Sequence, residues 1–151
     1  MTTHIIQVTG NEAWDLIFPE FLATLETIQQ ETMRRTLSNS SHVWAGIEDA
    51  KLLATWGVIP PTLLSDRAYL WMFHTSHLRE HVFIFVRHSQ RVVQEALELY
   101  PILVGHVVIG NYRAIRWLRW LGAEFGDPIN DKVIPFEIRA GKWQRQRAQS
   151  A

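Results

Sequence analysis

Short β-branched and apolar runs alternate along the chain with longer stretches in which apolar residues recur at helical spacing. Turn-forming Gly, Asn, Ser and Pro bound most of the short runs, which predicts strands there. The predicted strands are His4 to Val8, His42 to Glu48, Leu52 to Ile59, Ala68 to His74, Ile102 to Ile109 and Lys132 to Arg139. The helical spacing predicts four helices, which begin at Glu12, at about Pro19, at about Glu80 and just after Asn111.

The order of these elements is β-α-α-β-β-β-α-β-α-β. A first half rich in hairpins, followed by βαβ crossovers, predicts an α/β (α+β) fold with a mixed central sheet and helices on both faces. A chain of 151 residues has the length of one ordinary domain. We therefore expect a single domain over residues 1–140 and a polar, basic tail over residues 141–151.

The composition excludes several classes of function. Fifteen basic and fifteen acidic residues cancel, so the chain lacks the basic excess of a dedicated nucleic-acid binder, and we expect no such partner. The absence of cysteine excludes disulfides and thiolate catalysis. The start of the chain has no signal-peptide pattern, and no apolar run reaches membrane-spanning length, so we expect neither secretion by a signal peptide nor a membrane anchor.

One block near the carboxyl end carries a family resemblance. Between Val107 and Phe125 a strand ends at an asparagine, a helix follows, and a glycine closes it; Asn111, Ala114, Ile115 and Gly122 match this pattern. The chain therefore resembles the GNAT acyltransferase-like superfamily. The form Gly-Asn-x-x-x-Ile-Arg-x-Leu-x-x-Leu-Gly-Ala is similar to a small phage-encoded group that includes an internal virion protein family.

The resemblance implies an N-acyltransferase that binds acetyl-coenzyme A where the central strand parts from the next one, without a metal. Hydroxyl, cationic and backbone N–H groups at a helix start suit phosphate, and backbone N–H groups at the strand end suit a thioester carbonyl. The implied cofactor-binding residues are Phe73, Thr75, Ser76, Arg79 and Asn111. A helix-capping role explains Ser76 equally well.

His74 is the candidate catalytic base. It ends the predicted central strand, and functional sites of α/β sheets form at the carboxyl ends of such strands. A neutral imidazole there can take a proton from an amine. A hydrogen-bonded core histidine is the alternative interpretation.

A second hypothesis is a phage virion or assembly component that keeps the fold without the chemistry. The stretch from His74 to Phe83 has no glycine to cradle a pyrophosphate, and Leu118 stands where the family often has a tyrosine acid. Seven tryptophans suggest a protein partner or homo-oligomer, which includes other phage structural proteins. The two hypotheses place the protein in the host cytoplasm or in the virion.

Three other groups of polar side chains each have a functional and a plainer structural interpretation. His77 and His81 are spaced to share a metal ion, but a solvated histidine face has the same pattern. Glu48 and Asp49 are expected as solvated turn residues rather than catalytic acids. Arginines interleaved with tryptophans on the last helix suit nucleic acid, although arginine stems that cover an aromatic surface are commoner.

Overall fold

The structure is a computed structural model that describes residues 3–16, 26–49, 51–62, 64–75, 78 and 82–141. Seven strands and four helices lie within these ranges. The strands are β1 (Thr3–Val8), β2 (His42–Glu48), β3 (Lys51–Ile59), β4 (Arg67–His74), β5 (Ile102–Val108), β6 (Glu124–Phe125) and β7 (Val133–Arg139). The helices are α1 (Gly10–Leu16), α2 (Thr27–Asn39), α3 (Val82–Leu99) and α4 (Tyr112–Trp120).

The strands form one sheet in the order β1-β2-β3-β4-β5-β7-β6. β4 and β5 are parallel, whereas β1 with β2, β2 with β3, β5 with β7 and β6 with β7 are antiparallel. The predicted mixed sheet is confirmed, and β4 is its central strand, as the sequence predicts. The sequence prediction omits β6, because a strand of two residues is too short to show alternation.

The chain groups into two compact units. The first unit consists of Met1–Pro60 and Trp71–His88, and the second of Pro61–Leu70 and Ser89–Ala151. β4 and α3 therefore each contribute residues to both units. The expected polar tail lies outside the described residues from position 142 onward.

In the first unit, α1 and α2 pack on one face of β2 and β3. Their shared core is a cluster of buried residues: Ala13, Met33, Leu37, Val43, Ala45, Leu52 and Trp71. The other face of β3 is also covered, since Trp56 meets Phe85 of α3 edge to face, with ring centroids 5.3 Å apart. Coverage on both faces explains why β3 reads as a continuous apolar run rather than an alternating one.

In the second unit, β5 lies between the first residues of β4 and the whole of β7. Arg67–Tyr69 pair with Ile102–Val104, and the β5–β7 ladder runs from Ile102↔Arg139 to Val108↔Val133. The buried hydrophobic side chains of this unit include Leu103, Val107, Ile138, Val92, Val93, Ala96, Leu97 and Leu118.

α4 begins and ends at the residues that the sequence marks. Asn111 is its N-cap, and its Oδ1 accepts a hydrogen bond from the Ala114 N–H at 3.3 Å. Gly122 follows the helix with φ +90°, a left-handed conformation that glycine adopts without strain. The Ala123 N–H then donates to the Leu118 carbonyl at 2.9 Å, which closes the helix.

Candidate functional site

A cavity of about 410 Å³ opens in the first unit, between α2 and the carboxyl end of β4. Its size falls within the range of small-molecule sites. The residues that line it are Ile28, Gln29, Thr32 and Met33 of α2, together with Met72, Phe73 and His74 of β4. This cavity brings the predicted residues Phe73 and His74 together with helix residues that sequence reasoning did not connect to them.

The helix wall is held in place at the start of α2. The Glu26 N–H donates to Gln29 Oε1 at 2.8 Å, which satisfies a backbone donor that the helix itself cannot. One turn on, the Thr32 hydroxyl donates to the Ile28 carbonyl at 2.8 Å. Gln29 and Thr32 therefore have defined positions and carry polar groups on this wall.

The strand wall ends at His74. Phe73 is half-buried and lies against Trp71, with ring centroids 5.3 Å apart. His74 is exposed, and its Nδ1 lies 3.5 Å from the carbonyl oxygen of Thr75. Because the ring is exposed and lines the cavity, a ligand there can reach the imidazole. Its role as a base stays a prediction.

Thr75 is buried and bonded to β3. Its N–H donates to the Leu53 carbonyl at 2.9 Å, and its hydroxyl donates to the Leu52 carbonyl at 2.7 Å. Both donors of Thr75 thus hold the end of β4 against β3. These bonds are no evidence for a contact with coenzyme A. The coenzyme-binding role of Thr75 therefore stays a prediction.

The remaining predicted cofactor residues are divided between the described and undescribed parts of the chain. Ser76 and Arg79 lie outside the described residues. Asn111 is exposed, and the capping bond explains an asparagine at this position. Its predicted contact with coenzyme A stays a prediction.

The family position of the tyrosine acid is filled by a core residue. Leu118 is buried within the second unit, whereas Tyr112 is exposed at the first position of α4. Because Tyr112 stands at the opposite end of the helix from Leu118, it does not replace a tyrosine at that position.

The histidine and acidic clusters have mixed outcomes. His77 and His81 lie outside the described residues, and the part of the chain that is described holds no group of three or more potential metal ligands. Asp49 is an exposed turn residue with φ +49°, but Glu48 is buried at 5% exposure. The expectation of a solvated Glu48 is wrong, because β1 and β3 flank β2 here, at Thr3 and Lys51.

α4 only partly forms the predicted surface of arginine and tryptophan. Its three arginines are exposed, and Trp120 is 44% exposed. Trp117 is half-buried instead, and its indole N–H donates to Ser89 Oγ at 3.1 Å. In addition, the helices within the described ranges include none with the length and apolarity to cross a membrane.

Sequence reasoning missed the helix side of the cavity. The apolar stripe at helical spacing that predicts the second helix includes Ile28 and Met33. The side chain of Ile28 is nevertheless 68% exposed at the cavity. Met33 from the same stripe is buried at 4% exposure and also lines the cavity. The sequence does contain a signal for this wall. Ile28 is an apolar residue at the polar start of the helix, directly before Gln29.

No protein-family model and no curated protein matches this chain by sequence. Solved structures match it by fold. The spermidine/spermine N-acetyltransferase SpeG from Vibrio cholerae has a TM-score of 0.66 at 13% identity, with 96% of this chain and 99% of that chain covered. A GNAT-family acetyltransferase from Staphylococcus aureus Mu50 has a TM-score of 0.68 at 15% identity, with 92% and 99% covered.

A further match is to the Campylobacter jejuni N-acetyltransferase PseH in complex with acetyl coenzyme A. Its TM-score is 0.63 at 11% identity, with 90% of this chain and 99% of that chain covered. These identities are too low to assign functional residues of those proteins to positions of this chain. The alignments nevertheless span nearly the whole of each structure. The chain has the fold of the GNAT-family acetyltransferases.

Proposed function

We propose that this protein is an acetyl-coenzyme A-dependent N-acyltransferase whose acceptor amine binds in the cavity between α2 and β4. The observation that carries this proposal is the position of His74. It is an exposed imidazole at the carboxyl end of the central strand, and it lines a cavity of about 410 Å³. A base must lie within reach of the proton that it takes, and an exposed imidazole in the cavity lining supports this role.

The proposed reaction is a direct attack of the acceptor amine on the thioester of acetyl-coenzyme A. When bound, acetyl-coenzyme A supplies an activated thioester. With acetyl-coenzyme A bound, the acceptor nitrogen would form the new C–N bond, and coenzyme A would leave as its thiolate when the C–S bond breaks. The His74 imidazole would accept the proton that the nitrogen loses. The sequence has no cysteine, so an acyl-cysteine intermediate does not arise.

Among the described residues, the start of α4 suits the negative phosphates of coenzyme A. α4 carries no acidic residue in its first turn, and Arg113 there is exposed. A helix N-terminus and an arginine both stabilise phosphate charge. Phe73, Thr75, Ser76, Arg79 and Asn111 remain the proposed coenzyme contacts.

The relatives support the cofactor and leave the acceptor open. PseH was solved with acetyl coenzyme A bound, which supports this cofactor for a chain of the same fold. SpeG is named for its action on spermidine and spermine, which supports an amine acceptor in general.

Calorimetric titration with acetyl-coenzyme A, followed by an amine acetylation assay, tests the proposal. We expect binding, and we expect His74→Gln to lower kcat by at least about 100-fold, the lower range for a general base, with coenzyme binding retained. His106→Gln is the matched control, since His106 is also exposed but belongs to the second unit. No binding at millimolar coenzyme, or equal activity of both variants, would contradict the proposal.

Protein docking without catalysis is a second candidate function, and one surface in the second unit favours it. Val108, Ile109 and Ile129 are exposed, and Tyr112 is 72% exposed. Their backbones are close together. Val108 and Ile129 both pair with Val133, the Ile109 N–H donates to the carbonyl of Lys132, and the Tyr112 N–H donates to the carbonyl of Gly110. An exposed apolar patch of this kind marks an interaction surface.

The proposed occupant under this second function is a second copy or another phage structural protein, in the host cytoplasm or the virion. The phage origin rests on the resemblance of the Gly110 to Ala123 block alone. Light scattering of the parent and of Val108→Asp tests self-association. A monomer in both cases, together with full acetylation activity, would exclude docking between copies as the function.

A further inference from the structure

β1 is an end strand of the sheet and lacks the usual features that keep a further strand away. Among the described strands it pairs only with β2, in an unbroken register from Thr3↔Glu48 to Val8↔Val43. Sheet edges are usually protected by charged residues, proline, a bulge or a very short strand. The six residues Thr-His-Ile-Ile-Gln-Val include no Asp, Glu, Lys, Arg or Pro, and their pairing has no bulge. One row of backbone N–H and C=O groups of β1 therefore points away from β2.

The other end of the sheet is protected in two of these ways. Among the described strands, the last one there is β6, which consists of Glu124–Phe125 alone. So short a strand offers few backbone groups, and the exposed carboxylate of Glu124 disfavours pairing with another chain. The contrast identifies β1 as the edge that is suited to pairing.

The side chain of Ile6 adds an apolar contact to this edge. Ile6 pairs with Ala45, a core residue at 0% exposure, yet Ile6 itself is 44% exposed. Val8 lies two residues further on, hence on the same face, and packs against the core cluster of the first unit. Ile6 therefore continues the core face to the edge of the sheet, where an added strand would cover it.

We infer that β1 pairs with β1 of a second copy of this protein, about a two-fold axis at Ile6. This inference is independent of the acyltransferase proposal and uses a different surface from the apolar patch of the second unit. A two-fold axis perpendicular to the sheet makes the two strands antiparallel and gives a closed dimer. It sets Ile6 opposite Ile6 of the second copy. The flanking pairs are Ile5 opposite Gln7 and His4 opposite Val8.

Charge and shape favour a second copy as the occupant. In a two-fold pairing, charged residues near the axis lie close to their own copies, and like charges directly opposite each other are destabilising. β1 has no Asp, Glu, Lys or Arg, and an axis at Ile6 sets His4 opposite Val8 rather than opposite itself. The pair on the axis consists of two β-branched apolar side chains, a favourable cross-strand combination. The chain thus supplies its own neutral partner strand of matching length.

Introduced cysteines test the pairing and its register, because the chain has no cysteine of its own. Directly opposite residues of antiparallel strands have Cα atoms about 4.5–5.5 Å apart, a distance that a disulfide spans. Ile6→Cys should therefore form a covalent dimer under mild oxidation, measured by non-reducing gel electrophoresis. Gln7→Cys is the matched control, since Gln7 is also exposed on β1. In the proposed register the two copies of position 7 are offset by two residues, so their Cα atoms are about 8 Å apart, beyond the reach of a disulfide.

Sedimentation equilibrium measures the pairing without oxidation. Two short strands bury a small interface, so we expect a parent dimer with a micromolar Kd. Ile6→Lys sets two ammonium groups opposite each other on the axis and should raise the Kd by at least about tenfold. Gln7→Lys adds the same charge opposite Ile5 and should raise it less. Val108→Asp, in the second unit, should leave it unchanged.

The outcomes decide the inference without any acetylation assay, so it can fail while the acyltransferase proposal stands. Faster cross-linking of Ile6→Cys than of Gln7→Cys, with a larger rise in Kd for Ile6→Lys than for Gln7→Lys, supports it. A monomeric parent at millimolar protein overturns it, as does cross-linking of Gln7→Cys at an equal or faster rate. If urea unfolding shows that Ile6→Lys does not fold, the two cysteine variants decide alone.

Discussion

The indole N–H of Trp71 donates a 2.7 Å hydrogen bond to Ser40 Oγ, and the Ser40 hydroxyl donates in turn to the Thr36 carbonyl at 2.7 Å. This chain of bonds joins β4 to the end of α2, the two elements that line the candidate site. Trp71 is buried at 6% exposure, so its N–H depends on this partner.

Ser40→Ala should therefore destabilise the protein. The variant leaves a buried N–H without an acceptor, which costs about 1–3 kcal/mol in the free energy of unfolding. Urea unfolding followed by tryptophan fluorescence measures the change. Ser38→Ala, at an exposed position of α2, is the control and should change the free energy by less than about 0.5 kcal/mol. Equal effects of the two variants would show that the bond contributes little.

Gly57 makes room for the ring of Trp71. A Cβ at this position would lie 2.6 Å from Trp71 Cζ2 and 2.6 Å from the His42 carbonyl oxygen, and the second of these atoms belongs to a paired strand. Gly57→Ala should lower the free energy of unfolding by about 1–3 kcal/mol through overpacking.

Gly46→Ala is the control for that prediction. A Cβ there would meet Trp56 at 3.5 Å, an ordinary contact, in the strand beside Gly57. We expect a clearly smaller loss, measured by the same unfolding experiment. A larger loss in Gly46→Ala would contradict the role given to the Trp71 ring.

Asn111 can be tested for two roles at once. Asn111→Ala removes the cap of α4 and should cost about 0.5–2 kcal/mol of stability, whereas Asn111→Ser keeps a capping oxygen and should cost much less. If Asn111 also contacts coenzyme A, as proposed, Asn111→Ser should weaken acetyl-coenzyme A binding in calorimetry despite its stability. Unchanged binding in a stable serine variant would leave capping as its role.

Tyr69 should make stability fall at alkaline pH. Partial burial raises the pKa of Tyr69 above its ordinary value of 10.0, because the neutral phenol is favoured where the side chain loses part of its hydration. The unfolded chain then loses this proton before the folded protein does. Its contribution to stability is fully present below about pH 10 and is lost as the pH rises through the folded pKa.

Urea unfolding of the parent and of Tyr69→Phe between about pH 9 and pH 11 measures this effect. The parent should lose more stability over that interval than the variant, which has no phenol to ionise. The ultraviolet difference spectrum between the two proteins should show the missing tyrosinate only above about pH 10. Parallel pH curves for the two proteins would count against the raised pKa.

Local patterns predicted most elements because the residues that decide them are neighbours in sequence. β2, β3 and β7 lie within a residue of their predicted bounds, since alternating or β-branched runs with turn residues on each side are informative over a few positions. The end of α4 was also predictable, because Gly122 supplies a conformation that other residues adopt at a cost.

The candidate site could be predicted only on its strand side. His74 follows from a general rule about strand ends in α/β sheets. Gln29 and Thr32 meet it only through the packing of α2 beside β4, a contact between residues more than 40 positions apart. Hydrophobic periodicity assigns residues to faces of a helix but does not say which strand lies opposite, and for this reason it misplaced Ile28.

The passage of β4 and α3 through both units has a consequence for gene design. Because each unit is assembled from two separated stretches of chain, no single cut in the gene releases either unit whole. A fragment that ends at Pro60 would lack Trp71, and a fragment that starts at Ser89 would lack the residues of β4 that pair with β5. Complementation between two fragments that together cover the whole chain, rather than truncation, is the way to divide this protein.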